Sequence, residues 1–228
     1  MFRERLKHVY TLLGINHPSY LDNSIITKIE VPFKLPKRNI TPAMDGMSRS
    51  SDDWYNAGTI SMLDGPVFRE NKNVDKIDFG CDKDNIYFRL HVSKGASEIN
   101  YVDRINQFYI YTRNAVRVGN RAHIRLISRT DNPYPVLTEK FEHELTLTLI
   151  KDTLYPLRMT SVLHPDIWTL DNPEGIKMVY EDVIDVAIPF DKLGVKEGET
   201  VEFFMANTDS AVKNTYLPQE VLLTLERT

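Results

Sequence analysis

The chain has 228 residues, long enough for area scaling to bury roughly 70% of the surface an extended chain exposes. Its 42% hydrophobic and 26% charged residues exclude a disordered or fibrous chain. Lys and Arg number 28 against 32 Asp and Glu, a formal charge of −4, so no global field favours nucleic acid or an anionic membrane; the single cysteine, Cys81, excludes an intramolecular disulfide framework and a Cys-based zinc site.

The chain opens Met1-Phe-Arg-Glu-Arg-Leu-Lys-His8, charged and without the apolar core of a signal peptide. No apolar run reaches the roughly 20 residues that cross a bilayer. The expectation is a soluble protein, cytoplasmic if Met1 is the native start, or else a piece of a longer chain whose compartment the sequence leaves open. Phe2, Leu6, Val9, Tyr10 and Leu13 share one face of a helix over residues 2–13, with Gly14 as its stop. A helix this short is marginal alone in water, so its stripe is expected to dock on this domain or on a partner. Pro18, Pro32, Pro36 and Pro42 punctuate the stretch that follows, which carries one short strand, Ile25 to Val31. Residues 1–36 are thus read as helix and linker, and 37–228 as the folded domain.

Beyond residue 40 the period is two. Ile86, Phe88, Leu90 and Val92 alternate with Tyr87, Arg89 and His91; Phe108 and Ile110 alternate with Tyr109 and Tyr111; Ala122, Ile124 and Leu126 alternate with Arg121, His123 and Arg125. These are half-buried strands. Further strands are expected at Val74 to Phe79, Phe141 to Ile150, Ile176 to Tyr180, Val183 to Pro189, Val201 to Ala206 and Val221 to Leu225, with an extra helical turn at Pro189 to Leu193. Strands at this spacing without intervening helices define an all-β antiparallel sandwich, Ig-like or jelly-roll-like, behind a short N-terminal helix.

Catalytic signatures are missing: no Gly-rich phosphate loop, no GxSxG and no HExxH among the six histidines. Carboxylate pairs such as Asp52-Asp53 and Glu181-Asp182 are generic. The turn Asp82-Lys-Asp84-Asn85 faintly resembles the start of a calcium loop but lacks its Gly and its final Glu. It reads first as a hairpin turn, so no cofactor is expected and a structural calcium ion stays unassigned. Asp45-Gly46 and Asp64-Gly65 read the same way.

Aromatic residues carry more information. If the apolar residues face the core, the opposite face bears Tyr87, Arg89, His91, Tyr109, Tyr111, Arg113, His123 and Arg125. Tyrosine rings stack on the C–H face of a pyranose while Arg and His donate to its hydroxyls, so such a face suits an oligosaccharide; the plain alternative is good strand propensity on a covered face. Trp168 in His164-Pro-Asp-Ile-Trp168 and Tyr134 in Asp131-Asn-Pro-Tyr134-Pro135 are placed in Pro-bearing loops, either plugging the sandwich or projecting as platforms. Trp54 is expected to anchor the entry to the first strands.

Three ordered segments, Ile40-Thr-Pro-Ala-Met-Asp45-Gly46, Asp53-Trp54-Tyr55-Asn-Ala-Gly58 and Ile77-Asp-Phe-Gly80-Cys-Asp82-Lys-Asp84-Asn85-Ile86-Tyr87-Phe88-Arg89-Leu90, resemble the β-sandwich domain that follows the catalytic region in a group of glycoside hydrolase family 57 proteins. The helical start and Asp185-Val-Ala-Ile188-Pro189-Phe190-Asp-Lys-Leu193-Gly194 are similar to that domain's joining segment and edge. Asp53 stands where Glu is usual, and Cys81 where an aromatic is usual. The resemblance implies a relation to carbohydrate-binding sandwiches of the family 9 and DOMON-like type, without catalysis, because the family's catalytic acids belong to an upstream region. It carries over no binding residues. The combined expectation is a non-enzymatic accessory domain that binds α-glucan or a related oligosaccharide or polysaccharide through Trp168 and Tyr134 or the Tyr109, Tyr111, Arg113 and His91 face. The alternative is a structural module docking on a glycoside hydrolase catalytic domain or on a second copy.

Overall fold

Val-, Ile- and Phe-rich alternation over residues 74–92 leaves the backbone one stable option, a hairpin with one face buried. The computed structural model describes residues 2–22, 33–48, 52–61, 74–92, 105–117, 119–123, 139–150, 153–209, 214–217 and 222–228. Helix α1 (Phe2–Leu12) and a 3-10 turn (Ser19–Leu21) come first. The strands follow as β1 (Phe33–Lys34), β2 (Gly58–Ser61), β3 (Val74–Cys81), β4 (Asn85–Val92), β5 (Ile105–Asn114), β6 (Ala122–His123), β7 (Lys140–Phe141) and β8 (His143–Ile150). The second half holds β9 (Thr153–Leu154), β10 (Arg158–His164), β11 (Ile167–Asp171), β12 (Lys177–Tyr180), β13 (Ile184–Pro189), a 3-10 turn (Phe190–Leu193), β14 (Thr200–Asp209), β15 (Asn214–Leu217) and β16 (Leu223–Glu226).

Two antiparallel sheets form the protein's layers. One has six strands in the order β1-β2-β3-β4-β13-β12. The other has eight, β11-β10-β8-β5-β14-β15, with β16 paired to β14 and β9 to β8; β6 and β7 make a separate ribbon. Their facing sides supply one core. Ile77, Phe79, Ile86, Phe88, Leu90, Ile184, Val186 and Ile188 from the first sheet meet Phe108, Ile110, Leu145, Leu147, Phe203 and Met205 from the second, all buried. Phe203 packs edge-on against Phe79 and Phe88, with centroids 5.3 and 5.0 Å apart, the arrangement that aromatic quadrupoles favour. The all-β sandwich with one short N-terminal helix is therefore the fold.

Local chemistry explains the turns. Asp82 Oδ1 accepts from the backbone N–H of Asp84 and of Asn85 (2.8 and 2.7 Å), and its other oxygen accepts from the Tyr87 hydroxyl at 2.6 Å. The Asp82–Asn85 segment is thus an Asx turn closing the β3–β4 hairpin. Gly194 ends the second 3-10 turn at φ 62°, where a side chain would be strained. Cys81 is buried and free; its thiol points to the Glu226 carbonyl of β16 (3.5 Å).

Helix α1 ends as expected, Gly14 taking φ 66°, with Leu13 N–H donating to the Val9 carbonyl at 3.0 Å. Lys7 and His17 both reach Asp22, at 3.0 and 2.9 Å. Val9, Leu12, Leu13 and Ile15 remain exposed. Phe33 and Lys34, inside the segment read as linker, pair with Ile60 and Thr59 as an edge strand. The expected strand Ile25 to Val31 lies outside the described residues, as do Ile124 and Leu126. A hairpin the periodicity does not announce, β10–β11, adds an edge to the larger sheet, and it places Trp168 in a strand rather than a loop.

Candidate functional site

The candidate aromatic face divides between the two sheets. Tyr87, Arg89 and His91 lie on the outer side of the six-stranded sheet, because Ile86, Phe88 and Leu90 face the core. Tyr109, Tyr111 and Arg113 lie on the outer side of the eight-stranded sheet, opposite Phe108 and Ile110. The two outer faces are on opposite sides of the sandwich. His91 is therefore not brought together with the tyrosines, and Tyr134 lies outside the described residues.

The outer face of the six-stranded sheet is covered by its own entry segment. Ile40 and Trp54 pack on Tyr87 and Ala187. Arg89 is 1% exposed and Asp185 0%; they meet through two parallel bonds, Nε to Oδ1 and Nη2 to Oδ2, each 2.7 Å. Trp54 lies over the guanidinium at 4.7 Å. Gly46 N–H donates to Asp185 Oδ2 at 3.0 Å, while the Gly46 carbonyl accepts from Asp182 and Val183 N–H groups, both at 3.0 Å. Gly46 has φ 71°, and a Cβ there would stand 2.8 Å from Glu181 N, so only glycine fits. The Asp45-Gly46 and Trp54 motifs thus hold the entry segment onto β4 and β13. Farther along, Asp78 accepts from Thr59 (2.8 Å), contacts Lys76 (2.8 Å) and bonds the His91 imidazole (2.7 Å). Burial alone would raise the Asp78 carboxyl, but its bonds to His91 and Lys76 outweigh that and hold it below the usual carboxylate range.

The outer face of the eight-stranded sheet is aromatic. Tyr111, Phe141, Phe204 and Ala206 are buried, with Tyr109, Trp168 and Leu222 packed around them. Tyr109 and Tyr111 lie parallel, centroids 6.1 Å apart and 10° between planes; Trp168 meets Tyr111 edge-on at 6.3 Å. The β6–β7 ribbon lies over this cluster through Phe141, and the Trp168 indole N–H donates to the His123 carbonyl of β6 at 3.0 Å. Tyr109 donates its hydroxyl to Gln107 Oε1 at 2.9 Å. Arg113 spends its donors on protein groups: Nε on Glu202 (2.5 Å), Nη1 on Glu139 (2.6 Å) and on the Lys140 carbonyl (3.1 Å), with its guanidinium 5.7 Å above Phe141. Arg113 therefore ties β7 to the sheet. What stays half-exposed at the rim of the cluster is Trp168 and Tyr109.

One cluster went unnoticed in the sequence. Ser161 of β10 donates to Asp171 Oδ2 at 2.7 Å and sits 2.9 Å from His143 Nδ1. These residues come from three neighbouring strands 10 to 28 positions apart, so no linear motif announces them. A nucleophile relay needs the imidazole between hydroxyl and carboxylate; here the hydroxyl bridges the other two. Desolvation lowers the His143 imidazole below its ordinary value, against the raising fields of Glu142 and Asp171. Among the described residues no group of three or more His, Cys, Asp or Glu is placed to hold a metal ion, and no helix is long and apolar enough to cross a membrane.

With fold and faces in hand, the class of the molecule is an all-β antiparallel sandwich with one aromatic and one charged, covered outer face. No protein-family model matches the chain, and no curated protein or solved structure matches it.

Proposed function

We propose that this chain is a non-catalytic, carbohydrate-binding-like accessory domain of a glycoside hydrolase, of the family 57 sandwich kind, that binds α-glucan or a related oligosaccharide. The observation that carries it is the half-exposed pair Trp168 and Tyr109 at the rim of a rigid aromatic cluster. Both rings are fixed by a polar bond at one end, Trp168 to His123 and Tyr109 to Gln107, so little side-chain entropy is lost when a sugar stacks on them. Tyr111 supports from beneath and Arg113 holds the flanking ribbon. Titration calorimetry of the purified chain against maltoheptaose, cellohexaose and xylohexaose tests the reading. Saturable heat for one sugar, weakened about tenfold or more in Trp168→Ala, is the expected result. Silence for all three sugars, or unchanged affinity in the variant, overturns the site.

A second reading, a module that docks on a catalytic domain, is favoured by the exposed Val9, Leu12, Leu13 and Ile15 of the leading helix. It predicts capture of a separately expressed catalytic region, abolished by Leu12→Glu with Leu13→Glu.

A further inference from the structure

A second surface, independent of the Trp168 rim, combines an exposed aromatic with cations that form no ion pair among the described residues. Tyr55 is 74% exposed, far above what a tyrosine with a packing role shows. Yet its backbone is fixed. Neighbouring Trp54 is buried, Tyr55 N–H donates to the Asp52 carbonyl at 3.2 Å, and Lys37 N–H donates to the Asn56 carbonyl at 2.9 Å. With the Asn56 carboxamide turned so that its oxygen faces Arg38, that oxygen accepts from Arg38 Nε and Nη2 at 2.8 and 3.0 Å. The ring is thus displayed on a braced turn rather than on a loose loop.

Asp52 and Asp53 precede Trp54 on that turn, Asp53 Oδ2 accepting from Ala43 N–H at 3.1 Å, and the segment beside the turn is cationic. The stretch Phe33-Lys-Leu-Pro-Lys-Arg-Asn39 holds three cations and no acid. Lys37 Nζ stands 5.0 Å from the Tyr55 ring centroid, and among the described residues the side-chain acceptor that Arg38 engages is the neutral Asn56 amide. Five other described arginines pair with carboxylates: Arg89 with Asp185, Arg113 with Glu202 and Glu139, Arg117 with Glu199, Arg121 with Glu142, Arg227 with Asp191. A cationic pair with no carboxylate bonded to it among the described residues, beside an open ring, has the makings of a site for a ligand that brings its own.

We propose that Tyr55, Lys37 and Arg38 form a binding site for an acidic saccharide, the pyranose C–H face stacking on Tyr55 and a uronate carboxylate reaching Arg38 and Lys37. Arg38 supplies a planar fork suited to a carboxylate, Lys37 a point charge. A single-stranded nucleic acid also combines stacking with anions, but it calls for cations tracking several phosphates along a groove; this patch offers a short cationic run on a chain of net charge −4.

The experiment is titration of the full chain with tetragalacturonate, maltoheptaose and a ten-nucleotide oligothymidylate at low and moderate salt. Wild type is compared with Tyr55→Ala, with Lys37→Gln/Arg38→Gln and with Trp168→Ala. Saturable tetragalacturonate binding that weakens with salt, falls about tenfold or more in Tyr55→Ala and in the double variant, and is kept in Trp168→Ala supports the proposal. Absence of tetragalacturonate binding, indifference to Tyr55→Ala, or preference for oligothymidylate overturns it. Maltoheptaose binding lost only in Trp168→Ala reports on the aromatic rim alone, so the two sites succeed or fail separately.

Discussion

The two outer faces of the sandwich begin from the same sequence pattern and end as opposites. On the six-stranded sheet the polar side of the alternation is sealed under Ile40, Trp54 and the Asp45-Gly46 turn, and its charges are spent internally on Arg89–Asp185 and Asp78–His91. On the eight-stranded sheet the same side has become a second, smaller apolar core, Tyr111, Phe141 and Phe204, leaving two rings half in water. An alternating strand therefore says which residues share a side of that strand. It does not say which sheet the strand joins, nor what lies over it.

The largest test of this contrast is on the sealed face. Arg89→Ala leaves Asp185 charged and buried without its partner, and is expected to cost about 3–5 kcal/mol of unfolding free energy, read as a lower urea midpoint at unchanged slope. Replacing both partners together, Arg89→Met with Asp185→Leu, should recover much of that loss. If Arg89→Ala costs under about 1 kcal/mol, the pair is solvated and Trp54 does not seal it from water.

On the open face the expected cost is smaller. Trp168→Ala removes a half-buried ring and one indole hydrogen bond, about 2 kcal/mol. The variant should keep its far-ultraviolet spectrum and cooperative unfolding, which makes it usable for binding. A loss as large as that of Arg89→Ala would mean that Trp168 acts as a plug of the sandwich and not as a surface.

The smallest effect separates the faces by pH. The His143 imidazole is lowered in the fold, so folding favours its neutral form; the stability it adds is present above its ordinary value of 6.5 and declines as pH falls below that. Asp78 is lowered as well, so its contribution is present above the ordinary carboxylate value of 3.8 and is lost only as pH falls through its depressed folded value. Stability should therefore decline between pH 7 and about 5 through His143, by at most about 1.4 kcal/mol per pH unit, while the Asp78 cluster stays intact. His143→Asn, which retains an atom near Nδ1 for Ser161, should flatten that decline. An equally steep decline in the variant would assign it to another group.

Much of the sandwich was legible from residues alone. The β3, β4, β5, β8, β13 and β14 segments announce themselves because each buries one face in the shared core, and Pro189 to Leu193 forms the expected turn with Gly194 behind it. The β10–β11 hairpin did not, because an edge pair with Ser161, Thr169 and an exposed Leu170 carries weak alternation and a proline at its turn. The site was less legible. Trp168 and Tyr109 could be picked out by residue type, but that both flank Tyr111 depends on register across β11, β10, β8 and β5. Arg113 reads as a ligand donor until Glu139 and Glu202 are seen to occupy it. Tyr55 gave no signal beside Trp54, since a turn displaying one ring and burying the next looks like two core aromatics.

Cys81 gives the fold an internal clock. Burial, with a smaller contribution from the Asp82 charge, pushes its thiol up to about 11, and its sulfur is covered where β3 meets the C-terminal strand. At neutral pH the folded chain thus offers neither thiolate nor access to an alkylating reagent, whereas an opened chain offers both. The rate at which a maleimide is consumed then counts the excursions in which β16 leaves the sheet, from a single native atom and with no engineered label.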